Sequence, residues 1–401
     1  MEGMKLKLKM PLDSTFLSQV IYEGLLYILR CTPDSSFKLD EVVLPDDYLH
    51  RAYGNMEDER IDKISINLTG NDRVESFLES INVRERPSKK TYRELLMLLK
   101  KRRHDILMNR NTVTIQEEIR GKRIFLDVPE HSNLAAPQLF KIDRYTGISS
   151  MEMRSTSEQL GLRASPEVIL IGLLGIYSSH IITVRQQNNT YHYFIFLSPD
   201  EILDLLTPKD GGDQHRLKHI YSIKESIREL FSSTLHSSIM NEVMILEIML
   251  NTKIRADLES KDLDRVNLSV FKVSPEGMTY KIYETIPITV YKDPMFYEVL
   301  SKRKAINADK VCEKLYESLS PNGAIMKALS SLNSRNKYDE ADNILKAILG
   351  LYKFISLADI HGLLQFLRSL GEAQAILKDK DMAQSRMREY ARIQKDLSYI
   401  L

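Results

Sequence analysis

The chain has 401 residues, enough for two or three domains that each bury a core of their own. Hydrophobic residues at 43% and charged residues at 28% exclude a disordered chain, and a formal net charge of +1 excludes polyanion binding by bulk charge alone. Cys31 and Cys312 can build neither a disulfide framework nor a CxxC metal site, so a reducing, cytoplasmic home is expected.

In chain order, Lys5 to Lys9 alternates Lys and Leu, a period-2 pattern that predicts a strand. Met1 to Met10 has no apolar h-region, so no secretory signal is expected. Ser14 or Thr15 caps a predicted helix through about Leu29, with Leu17, Val20, Ile21, Leu25 and Ile28 on its apolar face. Residues 32–60, rich in Pro and Asp, read as a long irregular loop, and Ile61 to Leu68 as a strand. Ser88 to Asn109 reads as a helix, followed by a hairpin of Thr112 to Glu118 and Arg123 to Val128 around Gly121.

Ser157 to Tyr177 reads as a helix interrupted by Pro166. Its Val168 to Tyr177 run is about half of the roughly 20 residues that a membrane span needs, so it predicts a buried helix and no membrane partner. Ile181 to Arg185 and Tyr191 to Leu197 predict a second hairpin around Gln186-Gln187-Asn188-Asn189, because Asn tolerates the turn's positive φ. Ser198-Pro199-Asp200-Glu201 has the punctuation of a helix start. Helical patterns run on to about Lys253, then Val266 to Lys272 and Met278 to Tyr291 predict a third hairpin. After Asp293 only helical segments follow: 296–304, 308–319, 321–333, 336–352, 356–370 and 372–400. The expected fold class is α+β, with a mixed α/β body at 1–292 and an all-α helical bundle at 293–401. Absent Trp with abundant Lys, Ile and Leu fits a thermophilic archaeal or bacterial composition.

The sequence holds no P-loop, no GxGxxG after a strand and no GxSxG elbow, so a non-catalytic protein without cofactor or metal is expected. Gly172 and Gly175 lie inside an apolar stretch, where close helix packing explains them. His215 and His219, four apart near Asp213, lack the Glu of HExxH. Ser178-Ser179-His180 places adjacent side chains that point apart. Glu117-Glu118 with Lys122 reads as a solvated turn and not as a nuclease centre.

Positive charge is concentrated instead. Between Arg84 and Arg123 there are thirteen Lys and Arg against five Asp and Glu. Lys89, Lys90, Arg93, Lys100, Lys101, Arg102 and Arg103 are expected on one helix, and Arg120, Lys122 and Arg123 at the hairpin tip that follows. Several cations on a rigid element suit phosphate contacts. Gln186, Gln187, Asn188 and Asn189 offer carboxamides, which can read base edges. Arg388, Arg392 and Lys395 share a face of the last predicted helix and could line a backbone groove.

The order of body and bundle resembles the large subunit of type I CRISPR effector (Cascade) complexes, with the archaeal I-A branch nearest in size. The stretches that carry this are Ile181 to Leu197 (IITVRQQNNTYHYFIFL), Val266 to Tyr291 and the closing helical run to Leu401. The resemblance implies a non-catalytic subunit of an RNA-guided DNA surveillance complex in antiviral defence. Such a subunit binds target DNA beside the protospacer-adjacent motif (PAM), helps open the duplex and recruits a helicase-nuclease. Its implied partners are the other effector subunits, crRNA, and double- and single-stranded DNA, with base pairing supplying most of the specificity. The competing expectation is a scaffold protein without direct nucleic-acid binding, whose basic stretch only solubilises it.

Overall fold

The computed structural model describes residues 3–106, 110–121, 123–145, 161–186, 189–207, 214–234, 241–301, 307–332, 334–378 and 384–398. The fold is α+β. Two compact units divide the chain: Met1–Lys224 with Asn267–Pro287, and Glu225–Val266 with Ile288–Leu401.

The first half of the chain supplies β1 (Met4–Leu8), α1 (Phe16–Cys31), β2 (Ser36–Phe37), β3 (Glu41–Leu44), α2 (Tyr48–Gly54), α3 (Asp58–Asp62), α4 (Val74–Ser80), α5 (Tyr92–Lys101) and β4 (Thr112–Ile115). There follow β5 (Glu118–Arg120), β6 (Arg123–Phe125), β7 (Leu134–Ala135), β8 (Gly161–Ala164), α6 (Pro166–Ser179), β9 (His180–Gln186), β10 (Asn189–Leu197), α7 (Pro199–Leu206) and α8 (Gln214–Thr234). Then come α9 (Asn241–Leu250), α10 (Thr252–Ser260), β11 (Arg265–Glu276), β12 (Thr279–Tyr291), α11 (Met295–Ser301), α12 (Ala308–Ser318), α13 (Ala324–Ser331), α14 (Ala341–Leu357), α15 (Ile360–Leu377) and α16 (Gln384–Ser398). Among the described residues the strands form three four-stranded sheets, in the orders β2-β3-β1-β4, β12-β11-β10-β9 and β5-β6-β8-β7.

Local chemistry explains the elements that anchor the first unit. The Thr15 side chain caps α1 by accepting from the Ser18 amide. Asp143 caps it again, taking the Phe16 and Leu17 amides at 2.8 and 3.0 Å. Ser165 and Ser198 cap α6 and α7, each followed by Pro at the first helical position, where no amide hydrogen is needed. Helix α6 is apolar on every side and is correspondingly buried along its length. Among the described residues no helix is long and apolar enough to cross a membrane. The Phe16 ring meets Phe194, Phe196 and Phe271 edge-on at 5.1, 5.6 and 5.6 Å, joining α1 to β10 and β11.

Several expectations need correction. Residues 32–60 are not a structureless loop, since β2, β3 and α2 lie there with most of α3. The predicted strand at 61–68 contributes only an isolated bridge between Asn67 and Thr91. Thr112–Ile115 does not pair across Gly121: it leaves as β4 to run parallel to β1, and the hairpin there is the shorter β5–β6 pair. The helix read from Ser157 begins at Pro166, and Gly161–Ala164 is strand β8. Residues 157–160 lie outside the described residues. Ring geometry at Pro166 ends any preceding helix and suits the start of a new one.

In the second unit, helices α11 to α16 bury Phe296, Val311, Leu315, Phe354, Phe366, Leu370 and Tyr390 in one core with Val243, Leu246 and Leu250 of α9. The expected helix break near 371 is absent. Gly371 lies within α15, because the buried stripe Leu363, Phe366 and Leu370 continues past it through Ala373 to Leu377. No strand follows Asp293 among the described residues.

His192 lies buried on β10 with Nδ1 2.8 Å from the Thr183 hydroxyl, and burial pushes its pKa down to about 4. The imidazole is therefore neutral in the fold, whereas an unfolded histidine takes up its proton near pH 6.5. Stability is expected to fall as the pH drops from 6.5 towards 4, by on the order of 2–3 kcal/mol. Urea unfolding at several pH values checks this, because His192→Gln should lose that part of the slope.

Candidate nucleic-acid interface

The cations read from sequence do not form one helical face. Lys89 and Lys90 are exposed, but they precede the N-cap Thr91 and so lie outside α5. Three acidic residues from other segments pair with four of the rest. Arg93 pairs with Asp62 at 2.8 Å and Lys100 with Asp58 at 2.7 Å. Lys101 and Arg102 share Glu85 at 2.9 and 2.7 Å. Hydrogen bonds from Lys101 and then Arg102 hold the Glu85 carboxyl below its ordinary pKa. Arg103 turns back to donate to the Lys100 carbonyl at 2.9 Å, and His104 meets His50 with Nε2 to Nε2 at 3.2 Å. Charge density in the sequence therefore overstates the free positive potential of this segment.

A different cluster keeps its charge. Strand β6 pairs antiparallel with β5 and parallel with β8, with Arg120 opposite Arg123 and Phe125 opposite Arg163. Directly paired residues and alternate residues along a strand share a face, so Arg120, Arg123 and Arg163 project from the same side of this sheet. Gly121 makes the turn possible with φ +59°, and its surroundings are open. Arg120 is held by Glu118 at 2.5 Å and Glu130 at 3.5 Å. Arg123 and Arg163 have no ion pair among the described residues. Arg73, in the left-handed region with φ 45°, joins them with its side chain exposed. Partial burial, then Arg123 and Arg73, lower the pKa of Arg163, so these guanidinium groups repel one another. The Arg163 Nη1 donates to the Asn133 carbonyl at 3.0 Å, which fixes its position. Glu118, opposite Phe125, lies on this face too, but Arg120 holds that carboxylate, so Arg123 and Arg163 are left to seat an oxyanion, and guanidinium matches phosphate geometry best.

The remaining candidates are dispersed. Lys122, Gln187 and Asn188 lie outside the described residues. Gln186 ends β9 and pairs with the exposed Asn189 that opens β10. Arg388 and Arg392 are exposed on α16 with Lys395, and Arg388 reaches Gln384 at 3.4 Å. The His215 and His219 rings lie 4.0 Å apart on α8, and Asp213 is outside the described residues. Among the described residues no group of three or more His, Cys, Asp or Glu side chains converges on a metal position. Ser178 and Ser179 serve packing: they donate to Glu23 and, at 2.7 Å, to the Gly175 carbonyl.

Sequence reasoning missed Arg73 and Arg163. The alternation in Gly161-Leu162-Arg163-Ala164 was the available signal for Arg163, masked by reading the segment as helix. Nothing local marks Arg73.

The chain is 40% identical over 400 residues to an uncharacterized protein of Archaeoglobus fulgidus, a match that spans 99% of this chain and 100% of that protein. It belongs to the same family as that archaeal protein. No family model matches the sequence, and no solved structure matches it.

Proposed function

We propose that this chain is a non-catalytic nucleic-acid-binding subunit that seats backbone phosphates on Arg73, Arg123 and Arg163. The carrying observation is that Arg123 and Arg163 share one sheet face with no ion pair among the described residues, and that Arg123 and Arg73 both act on Arg163 electrostatically, whereas Arg93, Lys100, Lys101 and Arg102 are each paired with a carboxylate. Within this reading the chain acts as the large subunit of a CRISPR RNA-guided surveillance complex. It binds target DNA near the PAM and helps recruit the helicase-nuclease. The resemblance in body-and-bundle order supports that assignment, and the A. fulgidus relative supports an archaeal setting.

Fluorescence anisotropy of short duplex and single-stranded DNA, titrated from low to physiological salt, tests this. The wild-type log–log slope should be several units. Arg123→Glu/Arg163→Glu should weaken binding to all sequences alike and flatten the duplex slope by roughly two units, since each phosphate contact contributes about 0.9. The neutralisation of Lys100, Lys101 and Arg102 favours the scaffold as second reading. Flat wild-type anisotropy at low salt would establish that reading in place of this one.

A further inference from the structure

The second sheet carries a feature that the arginine cluster does not use. Asn189, Tyr191 and Tyr193 alternate along β10 and so share one face. Lys272 of β11 lies directly opposite Tyr193 on that face. The Lys272 ammonium stands 4.4 Å above the Tyr191 ring and 6.0 Å from that of Tyr193. It has no ion pair among the described residues, so the tyrosine rings are its only partners there. Tyr283 of β12 reaches across to Tyr191, with ring centroids 5.3 Å apart at 78°. Tyr191 is buried, while Tyr283 remains 58% exposed.

We propose that Tyr283, Lys272 and Asn189 form a stacking platform for a nucleotide of single-stranded nucleic acid. The inference rests on the nucleic-acid reading above. A base lies flat on the exposed Tyr283 ring, whose tilt is fixed edge-on by Tyr191. Lys272, half-buried over the Tyr191 ring, attracts the adjoining phosphate. Asn189, at the hairpin end of the same face, offers a carboxamide to the base edge. Aromatic rings interleaved with cations on a sheet suit unpaired bases, because stacking needs a free π-face that a duplex hides. A duplex, by contrast, is served by a purely cationic face such as that of β5, β6 and β8.

The test uses the full chain, with an oligothymidine carrying one 2-aminopurine and a duplex of the same length. Tyr283→Leu should weaken single-strand binding by roughly ten- to a hundred-fold and leave duplex binding unchanged. The 2-aminopurine quenching that accompanies stacking should vanish with it. Tyr283→Phe should retain both affinity and quenching, and Lys272→Met should weaken the single strand alone. Unaltered circular dichroism melts are expected for Tyr283→Leu, since the ring is mostly exposed. If Tyr283→Leu leaves the single-strand affinity at the wild-type value, or lowers single-strand and duplex affinity equally, the platform is overturned. In either case the arginine cluster stands if Arg123→Glu/Arg163→Glu still weakens duplex binding and flattens its salt slope. If the wild-type chain binds neither probe, both proposals fall.

Discussion

Lys224→Met is expected to lower the unfolding free energy by about 3–5 kcal/mol, read as a fall in the urea midpoint. Lys224 of α8 and Glu23 of α1 form an ion pair with both side chains removed from water. One carboxylate oxygen of Glu23 accepts from Lys224, from the Ser178 hydroxyl of α6 and, at 2.9 Å, from the Tyr221 hydroxyl of α8. The other oxygen has no hydrogen-bond partner among the described residues. Removing the lysine strands a buried carboxylate with two hydroxyl donors, and hydroxyls alone do not offset the lost hydration of an anion. A chain of this kind has only about 5–15 kcal/mol to lose, so the variant should sit near the edge of folding. Adding Glu23→Gln should restore much of the loss. The amide is neutral, yet its oxygen still accepts from Tyr221 and Ser178. A double variant no more stable than Lys224→Met alone would mean that the cost comes from lost packing around the lysine stem. A single variant that loses less than about 1 kcal/mol would mean that water reaches the pair.

The elements that could be read from sequence are those specified by neighbours in the chain. Ser198 with its following proline marks α7, and the 186–189 turn marks β9 and β10, whereas the same Ser-Pro punctuation at Ser165 reads in the sequence as an interruption of a longer helix. Alternation in Lys5–Lys9 marks β1, whose burial alternates accordingly. Failures occur where a partner is distant. Strand β4 exists because β1, a hundred residues earlier, offers it an edge. Strand β8 is four residues long and gains its identity from β6 and β7. The candidate site divides in the same way. Arg120 and Arg123 follow from a hairpin visible in the sequence, whereas their neighbour Arg163 needs the pairing of β6 with β8. The neutralisation of α5 was equally hidden, because Asp58, Asp62 and Glu85 come from segments read as loop, strand or nothing in particular. Local charge counts register cations, but only the fold determines which carboxylates reach them.

Gly24→Ala tests the packing that holds the first unit together, with an expected loss of about 3 kcal/mol, at the upper end of overpacking costs. A Cβ on Gly24 would sit 1.9 Å from the Ile171 carbonyl oxygen, and one on Gly175 would sit 1.9 Å from that of Val20. The atoms struck are backbone on both sides, so no rotamer change relieves them, and α1 and α6 would have to move apart. In an exposed helix the same substitution gains about 1 kcal/mol from helix propensity. Here that gain is outweighed, because separating two buried helices loosens every side chain between them. The clash also predicts how two substitutions combine. Each glycine's Cβ would lie 3.0 Å from the other's amide nitrogen, so a single separation of the helices relieves both. Gly24→Ala/Gly175→Ala should therefore cost clearly less than the sum of the two single variants. Strict additivity in urea unfolding would show that each methyl is accommodated by its own local distortion and that the two helices do not move as rigid rods. Gly70→Ala, where nothing lies within 4 Å of the added methyl, serves as the reference and should change stability little.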